Sequence, residues 1–314
     1  MRILVTEPIH DAGIEFLRQR AEVVLGAGRS VEELKELARD VDGIIVRVVP
    51  IDADFLKGCP QLKVVGKHGV GYDNIQVPAA TEQGIAVVFT PGANSVSVAE
   101  HALALMLNLA VRVGSADRDI RGGCLGPQKN YRGVELLGKT LGLIGLGRIG
   151  RHLAHMCRAA FDMEVVAYDP YVKSAPDSIK LASLEEVLRA GDFISIHVPL
   201  TEETKDLIAA PQLAMMKETA FIINTARGGI INEEALHGAL VAGEIAGAGL
   251  DVFVKEPPPA DHPLVQLDNV VVTPHTGAAT EEALKRMAIT VSEEVLAVLE
   301  GRRPRHLVNP EVFN

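Results

Sequence analysis

Cysteine is scarce in this sequence of 314 residues, and the few cysteines present are poorly placed for cross-linking. Cys59, Cys124 and Cys157 show no CxxC spacing, and an odd number of thiols cannot all pair. This pattern argues against a disulfide framework and favours a reducing compartment. Each cysteine is expected to be a small buried apolar residue and not a nucleophile.

Long apolar runs and an excess of basic residues are also missing. No apolar run reaches the length that spans a bilayer, and charged residues appear too early for a signal peptide. The 31 Lys and Arg residues are outnumbered by 41 Asp and Glu, which gives a formal charge of −10. Because this charge opposes a phosphate backbone, no nucleic-acid partner is expected. We expect a cytoplasmic protein that has no membrane partner.

Apolar residues, by contrast, make up 47% of the sequence, which is ample for buried cores, and a chain of this length is expected to form two domains. Short apolar segments alternate with helix-length segments over residues 2–67 and again from residue 140 onward. This alternation predicts the α/β class, with two doubly wound parallel sheets that carry helices on their faces. Capping boxes are expected at two helix starts, Ser30 with Glu33 and Ser183 with Glu186.

Three segments indicate how the domains are joined. A helix rich in alanine and leucine is predicted over 96–113, and an irregular arm over 121–138. A last helix, over 280–299, is long enough to return the chain to the first domain. The predicted organisation is a discontinuous first domain, residues 1–97 plus 287–314, and a second domain over residues 98–286.

The alternating segments from residue 140 onward begin with a glycine-rich turn between two apolar strands. Residues 142–150 read GLIGLGRIG, and Asp169 ends the next strand. In a dinucleotide site Gly145 permits a tight turn, Gly147 lets backbone N–H groups approach a pyrophosphate, and Gly150 allows close packing of helix and strand. An ordinary βα turn is the plainer alternative. The acid at this spacing, however, predicts a Rossmann-type domain that prefers NAD, because Asp169 would repel a 2′-phosphate.

Polar residues follow three later strands of the same series. Arg227 follows the strand that starts at residue 221, Asp251 and Glu256 follow the next strand, and His275 follows the last. Ligands of open α/β sheets bind at the carboxyl ends of strands, so these residues are candidates for a site. A single histidine at a strand end is more often structural. A cation, an acid and a histidine together favour His275 as a general acid/base.

Other histidines are weaker candidates for the base. His197, within residues 195–201, also ends a strand, whereas His68 and His101 are more typical of packing. In the first domain, Arg47 lies inside an apolar run predicted as a strand over 41–49, and it is either a snorkelling arginine or a functional one. The glycine-rich loop 66–74 contains Lys67 and is either a simple turn or a site for an anionic ligand.

These residues together give the chain a family likeness. It resembles the NAD-dependent D-isomer-specific 2-hydroxyacid dehydrogenases, most of all their 3-phosphoglycerate dehydrogenase branch. The resemblance runs from Arg47 and the 66–74 loop through NSVSVAE at 94–100 and GKTLG at 138–142 to the strand-end residues. It implies a substrate-binding first domain, an NAD-binding second domain, no metal, and hydride transfer between a small D-2-hydroxy acid and NAD.

The resemblance also assigns roles to individual residues. It implies that Arg227 orients the substrate and that Glu256 pairs with His275, the general acid/base. It further places Asp251 at the nicotinamide and the His197 loop at the adenine. The expected cofactor residues are Gly145, Gly147, Arg148, Ile149, Gly150, Asp169, His197, Pro199, Thr201, Thr225, Ala226 and Asp251. The expected substrate residues are Arg47, Lys67, Val70 and Gly71.

The sequence departs from its phosphoglycerate-oxidising relatives in three respects. Those relatives usually place an arginine at position 67 and a basic residue near position 50, where this chain has Lys67 and Pro50. The chain also ends at Asn314, so a short form without the C-terminal regulatory domain is expected. The leading expectation is a 3-phosphoglycerate-like reaction, with glyoxylate or hydroxypyruvate reduction as the alternative.

A non-catalytic NAD(H)-sensing protein, like the corepressors of the family, remains the alternative outside enzymes. A formate dehydrogenase is disfavoured, because those that resemble this family carry Gln where this chain has Glu256. The resemblance implies a homodimer or homotetramer, joined through the second domain by the 96–113 helix and the 121–138 arm.

Overall fold

The computed structural model describes residues 1–124 and 126–313. Leu125, in the arm expected over 121–138, and Asn314, at the end of the stretch 287–314, lie outside the described residues. The chain divides into two compact units, unit 1 of Met1–Asn94 with Ala279–Asn314 and unit 2 of Ser95–Ala278. The chain returns from unit 2 to unit 1 after Ala278, earlier than the expected boundary at 286/287. The reason is that the last helix begins at Glu281 and packs in unit 1 from its first turn.

Strands and helices alternate in both units and are numbered along the chain. Unit 1 begins with β1 (Arg2–Val5), α1 (Asp11–Arg18), β2 (Glu22–Leu25), α2 (Val31–Ala38), β3 (Gly43–Val46), α3 (Ala53–Lys57), β4 (Val64–Lys67), α4 (Val77–Glu82) and β5 (Ala86–Val88). Unit 2 contains α5 (Ser95–Val111), α6 (Val113–Arg121), β6 (Thr140–Ile144), α7 (Arg148–Phe161), β7 (Glu164–Tyr168), β8 (Lys180–Leu181), α8 (Leu184–Ala190), β9 (Phe193–Ile196), α9 (Ala210–Leu213), β10 (Phe221–Asn224), α10 (Glu233–Ala242), β11 (Gly247–Leu250) and β12 (Val270–Val272). The helix α11 (Glu281–Leu299) returns to unit 1, and short 3₁₀ turns lie at Gln128–Tyr131, Pro263–Gln266 and Pro310–Phe313.

Each unit is built on a parallel sheet whose strand order reverses once. The order in unit 1 is β2-β1-β3-β4-β5, so the direction of winding changes between β1 and β3. The order in unit 2 is β12-β11-β10-β9-β6-β7-β8, with the change between β6 and β9. These are the two common doubly wound arrangements. The predicted α/β class with two such sheets is confirmed.

Alternation of side chains along the strands gives each sheet an apolar core on both faces. In unit 2, Ile222 packs in one cluster and its neighbour Ile223 in the other. In unit 1, the neighbours Ile3 and Leu4 likewise pack in different clusters, and Val295 of α11 belongs to the cluster of Ile3. Strands buried on both faces are typical of parallel sheets, which explains why these segments are almost purely apolar.

Local sequence signals account for several element boundaries. Both predicted capping boxes are present, with the Ser30 hydroxyl accepting from Glu33 N at 3.2 Å and the Ser183 hydroxyl from Glu186 N at 3.2 Å. The helix predicted over 96–113 is broken at Arg112, whose φ of 59° ends α5 and begins α6. No single helix of the described residues is long and apolar enough to cross a membrane. The helices α5 and α6 together have the required length and composition, but they are bent by 67° where they meet.

Candidate active site

The glycine turn between β6 and α7 has the shape that a dinucleotide requires. Gly145 has a φ of +97°, and a Cβ there would lie 2.6 Å from the carbonyl oxygen of His197. A Cβ on Gly150 would lie 2.4 Å from the oxygen of Gly145, whereas a Cβ on Gly147 would meet nothing within 4 Å. The first and third glycines are therefore needed for packing inside the chain. The second keeps its backbone open to a ligand, which fits the pyrophosphate of a dinucleotide.

The start of α7 supports the same fit. The helix begins at Arg148, followed by Ile149, and Gly147 at its N-cap supplies no side-chain hydrogen bond. N–H groups at an uncapped helix start, together with the positive end of the helix dipole, attract phosphate groups. Asp169 follows β7, and its carboxylate accepts from Leu146 N and Tyr171 N, both at 2.9 Å. Its oxygens retain lone pairs for the hydroxyl groups of a ribose.

His197 lies beside this turn and is partly buried. Burial lowers the pKa of His197 to about 4, so its ring is neutral at physiological pH. Its Nε2 lies 3.0 Å from the Ser195 hydroxyl, while Nδ1 has no hydrogen-bond partner among residues 1–124 and 126–313. A partly buried, neutral ring beside the glycine turn suits a packing role better than proton transfer. Pro199 and Thr201 continue the same loop, where the Thr204 hydroxyl donates to the Pro199 carbonyl at 2.6 Å.

Three adjacent strands, β10, β11 and β12, bring the predicted catalytic residues to one edge of the unit 2 sheet. Glu256 Oε2 lies 2.7 Å from His275 Nδ1, and Glu256 Oε1 accepts from Phe253 N at 3.1 Å. Burial acts to raise the pKa of Glu256, but the hydrogen bonds from His275 and Phe253, with the nearby Arg227, outweigh it and lower that pKa. Glu256 is therefore held as a carboxylate facing the histidine ring.

The backbone of His275 is unusual. Its φ is 54°, in the left-handed region, and its N–H donates to the Asp251 carbonyl at 2.8 Å. Non-glycine residues hold this conformation only when the surrounding structure imposes it, and such residues are common at functional sites. With Nδ1 directed at Glu256, the other ring nitrogen, Nε2, is the one that can exchange a proton with a ligand. The side chain is 47% exposed, so a ligand can reach it.

Arg227 is held by the turn after β10. Asn224, 2% exposed, donates to the Arg227 carbonyl at 2.9 Å and accepts from Ala226 N at 3.0 Å. The guanidinium donates to the Ala226 carbonyl at 2.8 Å. Thr225 is buried in the same turn, and its hydroxyl has no hydrogen-bond partner within the part of the chain that the structure describes. A Cβ on Gly228 would lie 2.0 Å from the carbonyl carbon of Phe253, so the β10 and β11 turns are in direct contact.

Asp251 is the centre of a hydrogen-bond network that the sequence did not reveal. Its Oδ1 accepts from the Thr273 hydroxyl at 2.6 Å and from Thr276 N at 2.8 Å, and Oδ2 accepts from Gly277 N at 2.8 Å. His101 Nε2 lies 2.9 Å from the Thr273 hydroxyl and 3.3 Å from Oδ1. His101, for which packing was the favoured of two expectations, thus contacts the segment that carries His275. No local motif marks this contact, because α5 and β12 are far apart in the sequence.

This network yields a stability prediction for Asp251→Asn. Burial acts to raise the pKa of Asp251, but the hydrogen bonds from His101, Thr273 and two backbone N–H groups lower it overall. A carboxyl with a depressed folded pKa stabilises the fold above its unfolded pKa of about 3.9, and the contribution fades as pH falls through the folded value. Asp251→Asn should lower the unfolding free energy at pH 7 by about 2–4 kcal/mol and weaken the loss of stability on acidification.

Thermal unfolding of both proteins at pH 7 and pH 3 measures this effect. The control is Asp117→Asn, which removes an exposed carboxylate paired with Arg121 and should change the midpoint little. Equal midpoints for Asp251→Asn and the parent protein at pH 7 would show that the network does not stabilise unit 2.

The predicted substrate residues of unit 1 follow β3 and β4. Strand β3 ends at Val46 and not at residue 49, so Arg47 is in the following loop and its guanidinium donates to the Pro8 carbonyl at 3.0 Å. Lys67, at the end of β4, is 9% exposed and donates to the Arg47 carbonyl and, at 2.5 Å, to Asn74 Oδ1. Val70 and Gly71 follow in the glycine-rich loop.

Comparison with known proteins identifies relatives over nearly the whole chain. The sequence model of the family described as D-isomer specific 2-hydroxyacid dehydrogenase, NAD binding domain, matches residues 103–277. The D-3-phosphoglycerate dehydrogenase of Archaeoglobus fulgidus is 43% identical over 314 residues, which cover 98% of this chain and 59% of that protein. The chain thus spans about three-fifths of the length of that relative.

Two further relatives match this chain along nearly their full length. The glyoxylate reductase of Thermofilum pendens is 42% identical over 324 residues, with 99% of this chain and 95% of that protein covered. The crystal structure of the TT0316 protein from Thermus thermophilus has a TM-score of 0.92 at 40% identity, covering 98% of this chain and 100% of that one. The chain is therefore a member of the D-isomer specific 2-hydroxyacid dehydrogenase family and carries its NAD-binding domain.

Proposed function

We propose that this protein is an NAD-dependent dehydrogenase that interconverts a small D-2-hydroxy acid and its 2-oxo acid. The observation that carries the proposal is the 2.7 Å contact between Glu256 and His275, with Arg227 held on the neighbouring turn at the same sheet edge. A base, an acid that orients it and a planar cation are the groups that oxidation of a hydroxy acid requires.

Each of the three side chains has a distinct task in the proposed reaction. NAD, when bound, accepts or returns the hydride. His275 Nε2 removes the hydroxyl proton during oxidation and returns it to the carbonyl oxygen during reduction. Glu256 favours the imidazolium that forms and keeps Nε2 directed outward. Arg227 can bind the substrate carboxylate through two hydrogen bonds, which a lysine cannot form.

The assigned cofactor contacts belong to the same proposal. Gly147 and the start of α7 would hold the pyrophosphate, Asp169 the adenosine ribose, and Oδ2 of Asp251 the nicotinamide amide. Among the described residues Asp251 Oδ2 accepts one hydrogen bond, from Gly277 N, so a carboxylate oxygen with two lone pairs can accept another. A carboxylate at position 169 also disfavours the 2′-phosphate of NADP.

The relatives suggest two kinds of substrate for this protein, a phosphorylated acid and an unphosphorylated one. The Archaeoglobus fulgidus protein is a D-3-phosphoglycerate dehydrogenase, whereas the Thermofilum pendens protein is a glyoxylate reductase and a Thermotoga maritima relative, 41% identical, is a hydroxypyruvate reductase. The identities of these relatives to this chain, 43%, 42% and 41%, are nearly equal. Identity alone therefore does not choose between a phosphorylated and an unphosphorylated acid.

An assay with a panel of 2-oxo acids tests the proposed function. Glyoxylate, pyruvate, hydroxypyruvate and phosphohydroxypyruvate are offered with NADH or NADPH, and loss of the reduced cofactor is followed by absorbance. We expect turnover of at least one acid, with kcat/KM for NADH about tenfold or more above that for NADPH, because like charges meet at Asp169. Binding of NADH without turnover of any acid would instead favour an NAD(H)-sensing protein. Equal use of NADPH would contradict the role of Asp169.

We also propose that the protein is a homodimer or homotetramer of the cytoplasm. Exposed apolar side chains on α5, α6 and the following arm support an interface there, namely Val111, Val113, Ile120, Val134 and Leu137. Light scattering during size-exclusion chromatography measures the state, and a monomer would refute the proposal.

A further inference from the structure

Asp251 is buried directly after β11, and the atoms around it decide how its carboxylate is oriented. Burial acts to raise the pKa of Asp251, but its hydrogen bonds hold that pKa below the ordinary value, so the side chain is ionised at neutral pH. An ionised carboxylate only accepts hydrogen bonds. Every polar atom that contacts it must therefore supply a proton, and this fixes the direction of the hydrogen bonds around it.

The proton of the Thr273 hydroxyl is committed to this carboxylate. Thr273 Oγ1 lies 2.6 Å from Asp251 Oδ1, and since only the hydroxyl can donate there, its own oxygen is left to accept. His101 Nε2 lies 2.9 Å from that hydroxyl oxygen, so this ring nitrogen must carry a proton. The same Nε2 lies 3.3 Å from Asp251 Oδ1. His101 of α5 is thus the first donor in a series of hydrogen bonds that ends on one oxygen of Asp251.

The two oxygens of Asp251 have different surroundings. Oδ1 accepts from the Thr273 hydroxyl and from Thr276 N, with the His101 ring close by. Among the described residues Oδ2 accepts only from Gly277 N, so it keeps a lone pair. A Cβ on Gly277 would lie 3.0 Å from Oδ2, and the glycine therefore leaves the approach to this oxygen free of a side chain. One oxygen is committed to the fold, and the other can accept from a ligand.

The same contacts hold the segment that carries the proposed general acid/base. Thr273 lies two residues before His275, and His275 N lies 3.1 Å from the Thr273 carbonyl and 2.8 Å from the Asp251 carbonyl. The backbone and the side chain of Asp251 therefore both bind residues 273–277. A donor that orients the Asp251 carboxylate acts at the sheet edge where hydride transfer is proposed.

His101 contributes direction to this network more than packing. Ala102 and Leu105 on the same helix are buried and apolar, whereas the side chain of His101 is 20% exposed. The terminal torsion of an aspartate is broad, so its carboxylate keeps one orientation only where hydrogen bonds hold it. A hydroxyl proton likewise rotates to suit its partners. With the Thr273 oxygen engaged by His101 Nε2–H, the hydroxyl proton is directed at Asp251 Oδ1.

We propose that His101 is a positioning residue for the nicotinamide end of the cofactor. Through the Thr273 hydroxyl it fixes Oδ1 of Asp251, and Oδ2 is thereby held where it accepts from the amide group of the nicotinamide. The inference rests on the proposed function, which places the nicotinamide at Asp251. It adds a residue of α5 that acts through two other side chains and not by its own contact with the cofactor.

Calorimetric titration of the full chain with NADH and with ADP-ribose tests this inference without requiring turnover. ADP-ribose has the adenosine, pyrophosphate and second ribose of NADH but no nicotinamide, so only NADH can use Asp251 Oδ2. His101→Leu removes the donor and keeps an apolar side chain on the helix. It should weaken NADH binding roughly tenfold, as expected for a disturbed hydrogen bond to a charged group, and leave ADP-ribose binding unchanged. Equal losses for both ligands, or no loss for either, overturn the inference.

Further variants test whether the donor itself is responsible. His101→Gln supplies an amide N–H in place of Nε2–H and should restore most of the affinity for NADH, whereas a loss equal to that of His101→Leu overturns the role of the donor. Thr273→Val removes the connecting hydroxyl and should weaken NADH binding but not ADP-ribose binding. An unchanged NADH affinity in Thr273→Val overturns the inference even where His101→Leu fails to fold. His237→Leu, at a partly exposed histidine of α10 in unit 2, is the matched control and should change neither affinity.

The titrations and the oxo-acid assay distinguish failure of this inference from failure of the proposed function. A parent protein that binds NADH and turns over no acid contradicts the proposed function, while the comparison of NADH with ADP-ribose still decides the role of His101. A parent protein that binds no NADH overturns both. Normal turnover with an unchanged NADH affinity in His101→Leu overturns only the role of His101.

Discussion

His275→Ala should lower kcat by about 10²–10⁴-fold in both directions of the reaction, which is the usual contribution of a positioned general acid/base. The physical reason is that the substrate proton would have no acceptor when the hydride leaves. Glu256 is not expected to replace the histidine, because its carboxylate contacts Nδ1, the ring nitrogen opposite to the one that exchanges the proton. Its other oxygen accepts from Phe253 N. The loss should appear in kcat, since the ring contributes little to holding the cofactor.

Two measurements separate this effect from damage to the fold. NADH binding, followed by its fluorescence, should stay within a few-fold of the parent protein, because the glycine turn and Asp169 belong to other strands. His155→Ala removes an exposed histidine from α7 and serves as the control, with kcat expected to be unchanged. Activity of His275→Ala within threefold of the parent would remove the histidine from the mechanism.

Arg227→Lys should lower kcat/KM by about 10²-fold although the charge is kept. The planar guanidinium can bind a carboxylate through two parallel hydrogen bonds, whereas an ammonium group is a single point charge on a flexible chain. A hydrogen bond to a charged group contributes about 1.5–3 kcal/mol, so the loss of one of the pair corresponds to roughly 10–100-fold. The turn itself should persist, because Asn224 holds the backbone of residues 226 and 227 and not the side chain.

The comparison with Arg227→Gln makes the test sharper. If the fork geometry matters, Lys and Gln should both be poor replacements, and if charge alone matters, Lys should be close to the parent. Arg39→Lys, at an exposed ion pair with Glu36 in unit 1, is the control for an arginine that has no assigned role. Full activity of Arg227→Lys would contradict a bidentate contact with the substrate.

Much of the fold could be predicted because it depends on local patterns. Apolar segments at regular intervals predicted the two parallel sheets, and Ser30 and Ser183 marked helix starts through contacts only three residues away. Glycines at fixed offsets predicted the cofactor turn, and polar residues at strand ends indicated candidates for a site, whereas the pairing of Glu256 with His275 was implied only by the family resemblance. These signals are readable because the carboxyl ends of parallel strands meet at one edge of a sheet.

Features that depend on long-range contacts could not be predicted. The ring of His101 reaches Asp251 and Thr273, and Glu7 meets the N–H groups of residues 47–49 some 40 positions away. Neither contact has a motif, because each is created only when separate strands come together in a sheet. The break at Arg112 is similar, since nothing in its immediate sequence requires a left-handed residue there.

Unit 1 is made of two stretches that are far apart in the sequence, and this affects how the protein folds during synthesis. Unit 2 is one continuous stretch, whereas the core of unit 1 needs Val291 and Val295 of α11 against β3 and β4. A ribosome adding about 5–20 residues per second takes roughly 10–40 s to make the intervening stretch. During that time the strands of unit 1 have emerged, and one apolar face of their sheet still lacks its covering helix. The first part of the chain to be made is thus the last to be completed, and chaperones have their longest opportunity to act on it.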